Sequence, residues 1–515
     1  MRTSGLRHTL VVAVCALPLV AGGFMLRRQG PEQGSRILQG VLDIVANQAV
    51  DSLAPDSLYI TAARGLLEEL RDPYAGLFSP KDFASFSRNA LGNRYGGIGL
   101  RIVSLEGDVT VWRVIPGGPA GAAGVERGDR ILQIGDSAVR GWPTLRVADA
   151  LTGAPGTTVH VVFGRRATAE RFSLDLVRSI ISVPSVPFTA LLPGAVGYLP
   201  VVNFSDHSAE DVAQALARLE AAGATRFLLD LRGNGGGSLD QAVQMTSLFI
   251  GAGRVAVRVR SRQVDDSLRG SMPALLGSSV PIAALVDSGT ASATEILVGA
   301  LQDYDRALVV GTDTYGKGVA QGTFRLPDGW VLKLTTARWL TPAGRQLQRT
   351  HSDSMGTPRT LAHSFGGRGL SAGGGIVPDV LVFDDSLATG ARLAARALGA
   401  KAAVVGTVLD SIAESEEGSV HADFVITPRL HAALVRRLRE AGIGLLDRPD
   451  AAVDAYLDRL LDSRITAFAL SDSAAFVRRA PADTQLKRAA ALLRGAPSQL
   501  GLFEESQAAD SVRGS

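Results

Sequence analysis

The sequence predicts an α/β core with an inserted, mainly β domain, a helical segment at the N-terminus and a helical region at the C-terminus. Three changes of pattern support this: helical periodicity up to about residue 89, short strands between glycine turns at 95–178, and strands alternating with helices after 184. Such alternation favours a mainly parallel sheet covered on its faces. We place the boundaries of the parts at 1–30, 35–92, 93–180, 181–385 and 386–515.

Composition and charge narrow the function classes. With 46% hydrophobic and 20% charged residues, the 515-residue chain can bury a large core and does not have the composition of a disordered protein. Lys plus Arg number 53 against 50 Asp plus Glu, without a basic run, so no electrostatic argument favours nucleic acid as a partner. The only cysteine is Cys15, and the 7 histidines form no metal-binding spacing. We therefore expect no disulfide, no metal site and no cofactor.

An uncharged stretch of 18 residues, 9–26, lies near the N-terminus between Arg7 and Arg27. Its length is at the boundary between the core of a signal peptide and a membrane span. We therefore predict an exported protein, periplasmic or otherwise extracytoplasmic, whose N-terminal segment is either a cleaved signal peptide or a membrane anchor. A single cysteine, located in that segment, is consistent with an oxidising compartment.

The segment from Ser35 to about Asn89 is predicted to be helical. Apolar residues recur on one face at helical spacing, at Ile37, Val41, Ile44 and Val45 and again at Leu66, Leu67 and Leu70. The Asp-Pro pair at 72–73 interrupts this pattern.

The next part, at about 95–178, resembles a PDZ domain. Residues 96–100 read Gly-Gly-Ile-Gly-Leu, and residues 120–125 followed by 128–132 match the core motif of such domains. Glycines before an edge strand can leave backbone N–H groups to bind the terminal carboxylate of a peptide. The resemblance implies a peptide-binding loop made of Gly97, Ile98, Gly99 and Leu100. The alternative is a glycine-rich loop without a ligand.

After Pro184 the pattern is that of an α/β fold. Strands are predicted at 196–202, 226–231, 282–286, 307–310 and 331–337, and helices at 208–222, 240–250 and 294–302. Residues 351–375 are rich in Ser, Gly and Thr and are predicted to form a loop. From 384 onward the chain is dominated by Ala, Leu, Arg and Asp and is predicted to be helical.

Residues 230–238 read Asp-Leu-Arg-Gly-Asn-Gly-Gly-Gly-Ser and lie between a predicted strand and a predicted helix. Backbone N–H groups at such a junction can bind an anion, with help from the helix dipole. A dinucleotide site fits poorly, because Ser238 stands where that fingerprint requires Gly or Ala. The other interpretation is an oxyanion hole, which needs the same exposed amides.

Residues 311–318 read Gly-Thr-Asp-Thr-Tyr-Gly-Lys-Gly, close to a phosphate-binding P-loop. Gly318 stands where a P-loop needs Ser or Thr, and a strand rather than a helix follows, so we do not predict nucleotide binding. If desolvated in a tight turn between its two glycines, Lys317 would lose its proton more easily and could act as a general base. Taken alone, the motif would favour an ordinary surface lysine.

Residues 287–295 read Asp-Ser-Gly-Thr-Ala-Ser-Ala-Thr-Glu, again between a strand and a helix. A serine at such a junction presents its hydroxyl, and the amide after it can help to bind an oxyanion. Helix capping is the alternative, since Ser and Thr ahead of Glu are typical caps. We expect Thr290 or Thr294 to cap the helix, and this is compatible with Ser292 as a nucleophile.

Together the three motifs resemble the carboxy-terminal processing proteases, also called tail-specific proteases, over about residues 35–385. Residues 291–296 match the serine segment of the family, and 316–321 its lysine segment. Lys317 follows Ser292 by the family's usual 25 positions. Later segments that also match the family pattern are 301–303, 306–307, 341–344 and 375–379. The chain departs from the family at Thr294, where a serine is usual, and at Gly235, where a proline is frequent.

The resemblance implies an exported serine endopeptidase that cleaves proteins in their C-terminal region. The catalytic residues would be Ser292 as nucleophile, Lys317 as base and Gln321 as the residue that orients the lysine. The oxyanion donors would be the amides of Gly236, Gly237 and Ala293. Protein or peptide substrates would bind through their C-termini to the PDZ domain, and the N-terminal segment would reach the membrane. A regulatory adaptor and a homo-oligomer stay open, and the rival function is a non-enzymatic PDZ scaffold on a protease fold.

Overall fold

The computed structural model describes residues 32–511 except 52–53, 84–85, 87–93, 106–107, 116, 166–167, 169, 350–359, 384–388, 417–419, 422 and 444–449. The predicted export segment, 9–26 with Cys15, lies outside the described residues. Among the helices within the described part, none is both long and apolar enough to span a membrane. The chain divides into two compact units. The first comprises Met1–Ala90, Arg258–Ser267 and Gly318–Leu340, and the second comprises Leu91–Val257, Leu268–Lys317 and Thr341–Ser515.

The described helices, in chain order, are α1 (Glu32–Gln48), α2 (Pro55–Glu69), α3 (Pro119–Ala122), α4 (Thr144–Leu151), α5 (Ser208–Ala221), α6 (Leu239–Ile250), α7 (Ala293–Asp303), α8 (Thr389–Ala400), α9 (Ala402–Glu416), α10 (Pro428–Glu440), α11 (Ala451–Ala469), α12 (Asp472–Arg479), α13 (Thr484–Gly495) and α14 (Gln499–Ser511).

The described strands are β1 (Gly76–Phe78), β2 (Arg94–Gly97), β3 (Leu100–Leu105), β4 (Asp108–Val114), β5 (Arg130–Ile134), β6 (Ser137–Ala138), β7 (Thr158–Gly164), β8 (Arg171–Val177), β9 (Ser179–Ser182), β10 (Ala190–Leu192), β11 (Val196–Pro200), β12 (Arg226–Asp230), β13 (Val255–Ser261), β14 (Asp265–Arg269), β15 (Ile282–Val286), β16 (Leu308–Gly311), β17 (Val319–Arg325), β18 (Val331–Leu340), β19 (Thr360–His363), β20 (Gly369–Ala372) and β21 (Val380–Leu381).

The first unit holds α1, α2 and most of a five-stranded sheet in which β18 pairs with β1, β13 and β17. The N-terminal segment is helical as predicted, but β1 at its end was not expected, because three residues are too few for an alternating pattern to show. In α1 the apolar face recognised in the sequence is exposed, with Ile37 at 60% and Ile44 at 64%, while Leu42 is buried.

The PDZ region of the second unit is an antiparallel sheet of order β3-β4-β5-β7-β8, with β6 added to β5. Its core holds Val111, Val161 and Phe163, together with Val147 of α4. The chain enters this region through β2 and leaves it through β9, and these two strands pair with each other. The predicted mainly β domain is therefore confirmed.

The protease core of the second unit is a six-stranded sheet of order β10-β11-β12-β15-β16-β21, in which only β10 is antiparallel to its neighbour. Every residue of β15 is buried, as expected of a parallel strand covered on both faces. At Gly197 of β11, one face packs closely against Leu219 of α5. On the other face, Val196 and Tyr198 belong to an apolar cluster with α13 and α14. The predicted fold class is confirmed, and the last helices of the C-terminal region form a layer of the core.

Residues 351–375 are not the simple loop that their composition suggested. Within the described part, β19 and β20 pair as an antiparallel hairpin from Thr360 to Ala372. Leu361 and Phe365 on this hairpin are exposed, so little apolar burial marks it in the sequence. Residues 350–359 lie outside the described residues.

Candidate active site

Ser292 lies at the sharp turn between β15 and α7, where the sequence predicts a strand-to-helix junction. Its backbone has φ 58° and ψ −119°, and such a positive φ costs a non-glycine residue about 1–3 kcal/mol. Asp287 holds the loop in front of it: Oδ1 accepts hydrogen bonds from the N–H groups of Gly289 at 2.9 Å and Thr290 at 3.1 Å. The serine is therefore carried by a strained turn that its own loop stabilises.

The cap of α7 is Ser292 itself, so the expectation that Thr290 or Thr294 caps this helix is wrong. Both threonines instead bind the preceding glycine motif, residues 230–238. Thr290 Oγ1 donates to the carbonyl of Leu231 at 2.9 Å, and Thr294 Oγ1 donates to the carbonyl of Asn234 at 3.0 Å. Buried hydroxyls require such partners. The threonine that departs from the family pattern thus fixes the serine turn to the glycine motif.

Gly236 is pressed against the serine turn. Its φ is +96°, and a Cβ added to it would lie 2.8 Å from the Ala293 nitrogen and 3.0 Å from Ser292 Cβ. Gly237 has φ +148°, and a Cβ there would lie 2.1 Å from the carbonyl oxygen of Phe204. Only glycine fits at either position without displacing backbone. The structure therefore brings the predicted oxyanion residues Gly236 and Ala293 together beside Ser292.

Asn234 orders the glycine motif from inside and was missed as a site residue in the sequence. It is fully buried. Its Nδ2 donates to the carbonyl of Val201 at 2.7 Å, and its Oδ1 accepts from the N–H of Gly236 at 3.0 Å. Its own carbonyl accepts from the N–H of Ala291 at 3.0 Å. In this conformation the Gly236 amide is engaged within the loop.

Glu295 joins the serine turn to the lysine loop. Its Oε2 accepts from the backbone N–H of Ser292 at 2.9 Å and from that of Lys317 at 2.8 Å. Its Oε1 accepts from the N–H of Gly316 at 2.8 Å and from the hydroxyl of Thr314. One carboxylate oxygen thus binds the backbone N–H groups of both Ser292 and Lys317, so the two residues are held close together.

Burial raises the pKa of Glu295, and the four donors oppose part of that rise by stabilising the carboxylate. In the sequence this residue lies in the matched motif with the pattern of a helix cap, and nothing in that pattern indicates a role at the site. The missing signal is spatial, because three of the four donors come from residues 314–317.

Lys317 lies in the loop after β16, and further contacts hold this loop against the serine turn. The N–H of Tyr315 donates to the carbonyl of Thr290 at 2.9 Å. Gly316 has φ +87°, and its carbonyl accepts from the N–H of Arg349 at 2.8 Å. The lysine is partly buried. The structure thus brings the lysine motif and the serine motif into one site.

Gln321 lies on β17 in the first unit, next to a register shift between Ala320 and Gln321. Its Nε2 donates to the carbonyl of Val319 at 3.4 Å. Its predicted role, orienting Lys317, stays a prediction.

A buried polar cluster lies at the start of the glycine motif. Asp230 accepts from the hydroxyl of Tyr198 at 2.8 Å, and it pairs with Arg232 at 2.6 Å. Asp483, from the turn before α13, pairs with the same guanidinium at 2.8 Å. Burial, followed by the charge of Asp230, raises the pKa of Tyr198. Burial alone would lower the pKa of Arg232, but its bonds with Asp230 and Asp483 raise it.

Residues from the later segments that match the family pattern form a structural network rather than part of the site. At the C-terminal end of α7, Asp303 and Arg345 form an ion pair of 2.7 Å in which both side chains are almost fully buried. Gln302 accepts from Arg345 at 2.8 Å and donates to Asp379 at 3.0 Å. Burial raises the pKa of Asp303, and the charge of Arg345 opposes that rise. These residues fix the C-terminal end of α7.

The predicted peptide-binding loop of the PDZ region connects β2 to β3. Ile98 is buried in the PDZ core, and its carbonyl accepts from the N–H of Ala120 at 2.9 Å. Gly99 has φ +82°, and its carbonyl accepts from the N–H of Ile115 at 2.9 Å. A Cβ added to Gly99 would lie 2.9 Å from Gly118 Cα. The loop conformation is thus fixed by the segment that follows β4.

Sequence comparisons agree with this architecture. Residues 195–354 match the profile of Peptidase family S41, and residues 90–163 match that of the PDZ domain. The chain therefore carries a region similar to peptidase family S41 and a region similar to the PDZ domain, the two parts that the resemblance to the carboxy-terminal processing proteases predicted. The resemblance identified from the motifs is confirmed.

Similar proteins carry consistent names. A protein of Staphylococcus epidermidis named "Probable CtpA-like serine protease" is 31% identical over 293 residues, which cover 57% of this chain and 59% of the relative. A protein of the same name from Staphylococcus aureus is 30% identical over 311 residues, covering 60% and 62%. The chain thus spans about three fifths of the length of these relatives. Among solved structures, the photosystem II D1 C-terminal processing protease is 29% identical, with 68% of this chain and 88% of that chain covered and a TM-score of 0.39.

Proposed function

We propose that this chain is a serine endopeptidase in which Ser292 is the nucleophile and Lys317 the general base. The observation that supports this best is the shared Glu295 oxygen, which accepts from the backbone N–H groups of both residues at 2.9 and 2.8 Å. Two residues 25 positions apart thus belong to one rigid arrangement, next to glycine backbone that can bind an oxyanion. The names of the staphylococcal relatives agree with the class.

The reaction begins with attack of Ser292 Oγ on the carbonyl carbon of the scissile peptide bond, while the neutral amine of Lys317 takes the hydroxyl proton. The amides of Ala293 and Gly237 stabilise the oxyanion, since the Gly236 amide is engaged by Asn234. When the intermediate collapses, the C–N bond breaks and Lys317 returns the proton to the leaving amine. Water then hydrolyses the acyl-enzyme, with Lys317 as base again.

Gln321 is assigned to orient the lysine amine, and the PDZ loop at 97–100 to bind the C-terminal carboxylate of a protein or peptide substrate. The fixed loop conformation supports this second assignment, because the carbonyls of Ile98 and Gly99 accept hydrogen bonds from the N–H groups of Ala120 and Ile115. The substrate class is therefore unfolded or extended C-terminal segments. We place the protein outside the cytoplasm, on the strength of the uncharged segment at 9–26.

The experiment is incubation of the purified protein with an unfolded protein substrate, for wild type beside Ser292→Ala. Wild type should produce fragments, and the variant should lose several orders of magnitude in rate while keeping its melting temperature. Ser288→Ala, in the same loop, is the matched control and should cleave normally. A Ser292→Ala rate above about a tenth of wild type would exclude the nucleophile assignment. No cleavage by wild type, with intact peptide binding, would instead favour the scaffold.

A further inference from the structure

The strand that follows the predicted peptide-binding loop lies at an edge of its sheet. β3 begins at Leu100 and is the last strand on one side of the PDZ sheet, where within the described part it pairs with β4 alone. The helix α4 lies near the same strand. An exposed sheet edge can accept an extended peptide as a further strand. A tail whose carboxylate is bound at 97–100 would therefore continue along β3.

The two faces of β3 have different surroundings. Leu100 and Ile102 pack against the apolar core of the PDZ region. Successive side chains of a strand point to opposite faces, so Arg101 and Val103 lie on the other face. Val103 packs against an apolar cluster formed mainly by helices α8 to α11. The C-terminal helical region thus borders the outer face of β3.

Arg101 is the cation at this border without a matching acid. Arg113 of β4, which lies directly across from it, forms a two-pronged ion pair with Asp472, with one of the two bonds at 2.9 Å. Arg464 of α11 pairs with Asp410 of α9. The side chain of Arg101 is exposed, and among the described residues no carboxylate is in ion-pair contact with it.

The charge balance around Arg101 is positive. Partial burial, followed by the charges of Arg464 and Arg113, lowers the pKa of its guanidinium, and the charges of Asp472 and Asp410 oppose that shift. Three arginines thus face two aspartates, which leaves one positive charge over. Because arginine keeps its proton at every accessible pH, an anion beside Arg101 would be favourable there.

Strand alternation decides which side chain of the tail meets this charge. An apolar last side chain points to the apolar face, the side of Leu100 and Ile102, so the side chain before it points to the side of Arg101. Opposed residues on one face of paired strands have Cβ atoms about 4.5–5.5 Å apart, well within the reach of an arginine. A carboxylate at this position can accept charge-assisted hydrogen bonds, whereas a lysine would meet a like charge.

From this arrangement we infer that Arg101 selects substrate tails in which an acidic residue stands next to the C-terminal one. The ligand is an extended peptide with a free terminal carboxylate, an apolar last side chain and Glu or Asp before it. Arg101 is then a specificity-determining residue, and the C-terminal helical region is the second wall of the peptide site. The inference rests on the proposed function, in which the loop at 97–100 binds the terminal carboxylate.

The test measures peptide binding to the full chain carrying Ser292→Ala, so that the peptides stay intact. Three labelled free-acid peptides end in Val and differ only in the residue before it, which is Glu, Gln or Lys. Their Kd values are measured by fluorescence anisotropy. The Glu peptide should bind about fivefold more tightly than the Gln peptide, the upper end of what a partly exposed charge pair contributes. The Lys peptide should bind more weakly than the Gln peptide, and both differences should shrink in about 1 M salt.

Substitutions at Arg101 should change this order in a defined way. Arg101→Gln should bind the Glu and Gln peptides equally, with the Kd of the Gln peptide unchanged. Arg101→Lys keeps the charge and should keep part of the preference, whereas Arg101→Glu should favour the Lys peptide. A merely structural role predicts none of these ordered changes. The matched control is Arg171→Gln on β8, an exposed arginine at the opposite edge of the PDZ sheet, which should leave the preference for Glu intact.

Equal Kd values for the Glu and Gln peptides in the protein that retains Arg101, or a preference that survives Arg101→Gln, would overturn the inference. An amidated Glu peptide tests the proposed loop separately. If it binds as well as the free acid, or if none of the free-acid peptides binds, the proposed role of the loop fails and the inference fails with it. The two failures are therefore distinguishable.

A kinetic readout uses the active protein and an unfolded protein substrate that carries either the Glu-Val or the Gln-Val tail. Because Arg101 acts on binding of the tail and is not part of the catalytic machinery, the Glu tail should lower KM while kcat stays the same. Arg101→Gln should make the two KM values equal. A difference between the tails that appears in kcat alone would contradict the assignment.

Discussion

Replacing Glu295 by Gln is the change that tests the junction of the serine turn and the lysine loop. The carboxylate accepts four hydrogen bonds, two on each oxygen. An amide of the same shape offers one oxygen and one NH₂ group. If the oxygen stays on Ser292 and Lys317, the NH₂ faces the N–H of Gly316, which has no way to turn away. In the flipped orientation, the N–H groups of Ser292 and Lys317 both lose their acceptor.

The expected loss of stability follows from the first orientation of the amide, which leaves fewer N–H groups without an acceptor. One bond to a charged acceptor disappears, worth about 1.5–3 kcal/mol, and a buried N–H stays unpaired. We therefore expect the free energy of unfolding to fall by about 3 kcal/mol, a large part of the total for a typical domain. Because the lost bonds set the positions of both proposed catalytic residues, kcat should fall about 100-fold, as expected for a displacement of about 1 Å.

The assay is urea denaturation followed by circular dichroism, together with kcat and KM on one peptide. The matched control is Glu210→Gln on α5, where the side chain is 64% exposed and the same change should alter stability by less than about 0.5 kcal/mol. A Glu295→Gln protein with the stability and kcat of wild type would refute the argument that this carboxylate joins the two loops.

Three further predictions concern other parts of the chain. Gly236→Ala should reduce kcat and lower the melting temperature, because the added Cβ would lie 2.8 Å from backbone atoms. Gly235→Ala is the control, since its Cβ would enter open space and should change neither quantity. Equal effects of the two substitutions in activity and melting assays would contradict this prediction. A peptide ending in a free carboxylate should bind better than its amide in competition binding, and equal Kd values would exclude tail recognition. Burial alone would raise the pKa of Asp72, but hydrogen bonds from Tyr74 and Thr335 lower it below the usual range of an aspartate. Its stabilisation is therefore complete near neutral pH and is lost as the pH falls through the lowered pKa. Asp72→Asn should lower the melting temperature near pH 7 but much less near pH 2, and an equal effect at both would contradict the assignment.

The placement of the candidate site residues was predictable wherever it depends on residues close together in the chain. A serine between a buried strand and a helix, and a glycine-rich segment at 233–237 after another strand, are visible in the local pattern, and the structure has both junctions. Even there the details differ. The sequence favours Thr290 or Thr294 as the cap of α7, but Thr294 donates to the carbonyl of Asn234, because the glycine motif offers a buried carbonyl that the local sequence does not reveal.

The features of the site that the sequence did not predict depend on contacts between residues that are far apart in the chain. Glu295 looked like a capping residue, and only the fold brings the lysine loop to its carboxylate. Asn234 looked like one more polar residue in a glycine run, although it engages the Gly236 amide. The C-terminal helical region matched no motif. Its attachment to the PDZ region through Asp472, and to the core through Phe476, follows from tertiary packing alone.

The most direct test of the Ser292–Lys317 pair is the pH dependence of kcat/KM for wild type and Lys317→Arg on one peptide. A neutral lysine base predicts a wild-type rate that rises from about pH 5 to a plateau in alkaline solution. Arginine keeps its proton at every accessible pH, so Lys317→Arg should fall by about 1,000-fold or more across the whole range, with its melting temperature preserved. A Lys317→Arg enzyme with more than about a tenth of the wild-type kcat/KM, and the same pH profile, would contradict the lysine as base.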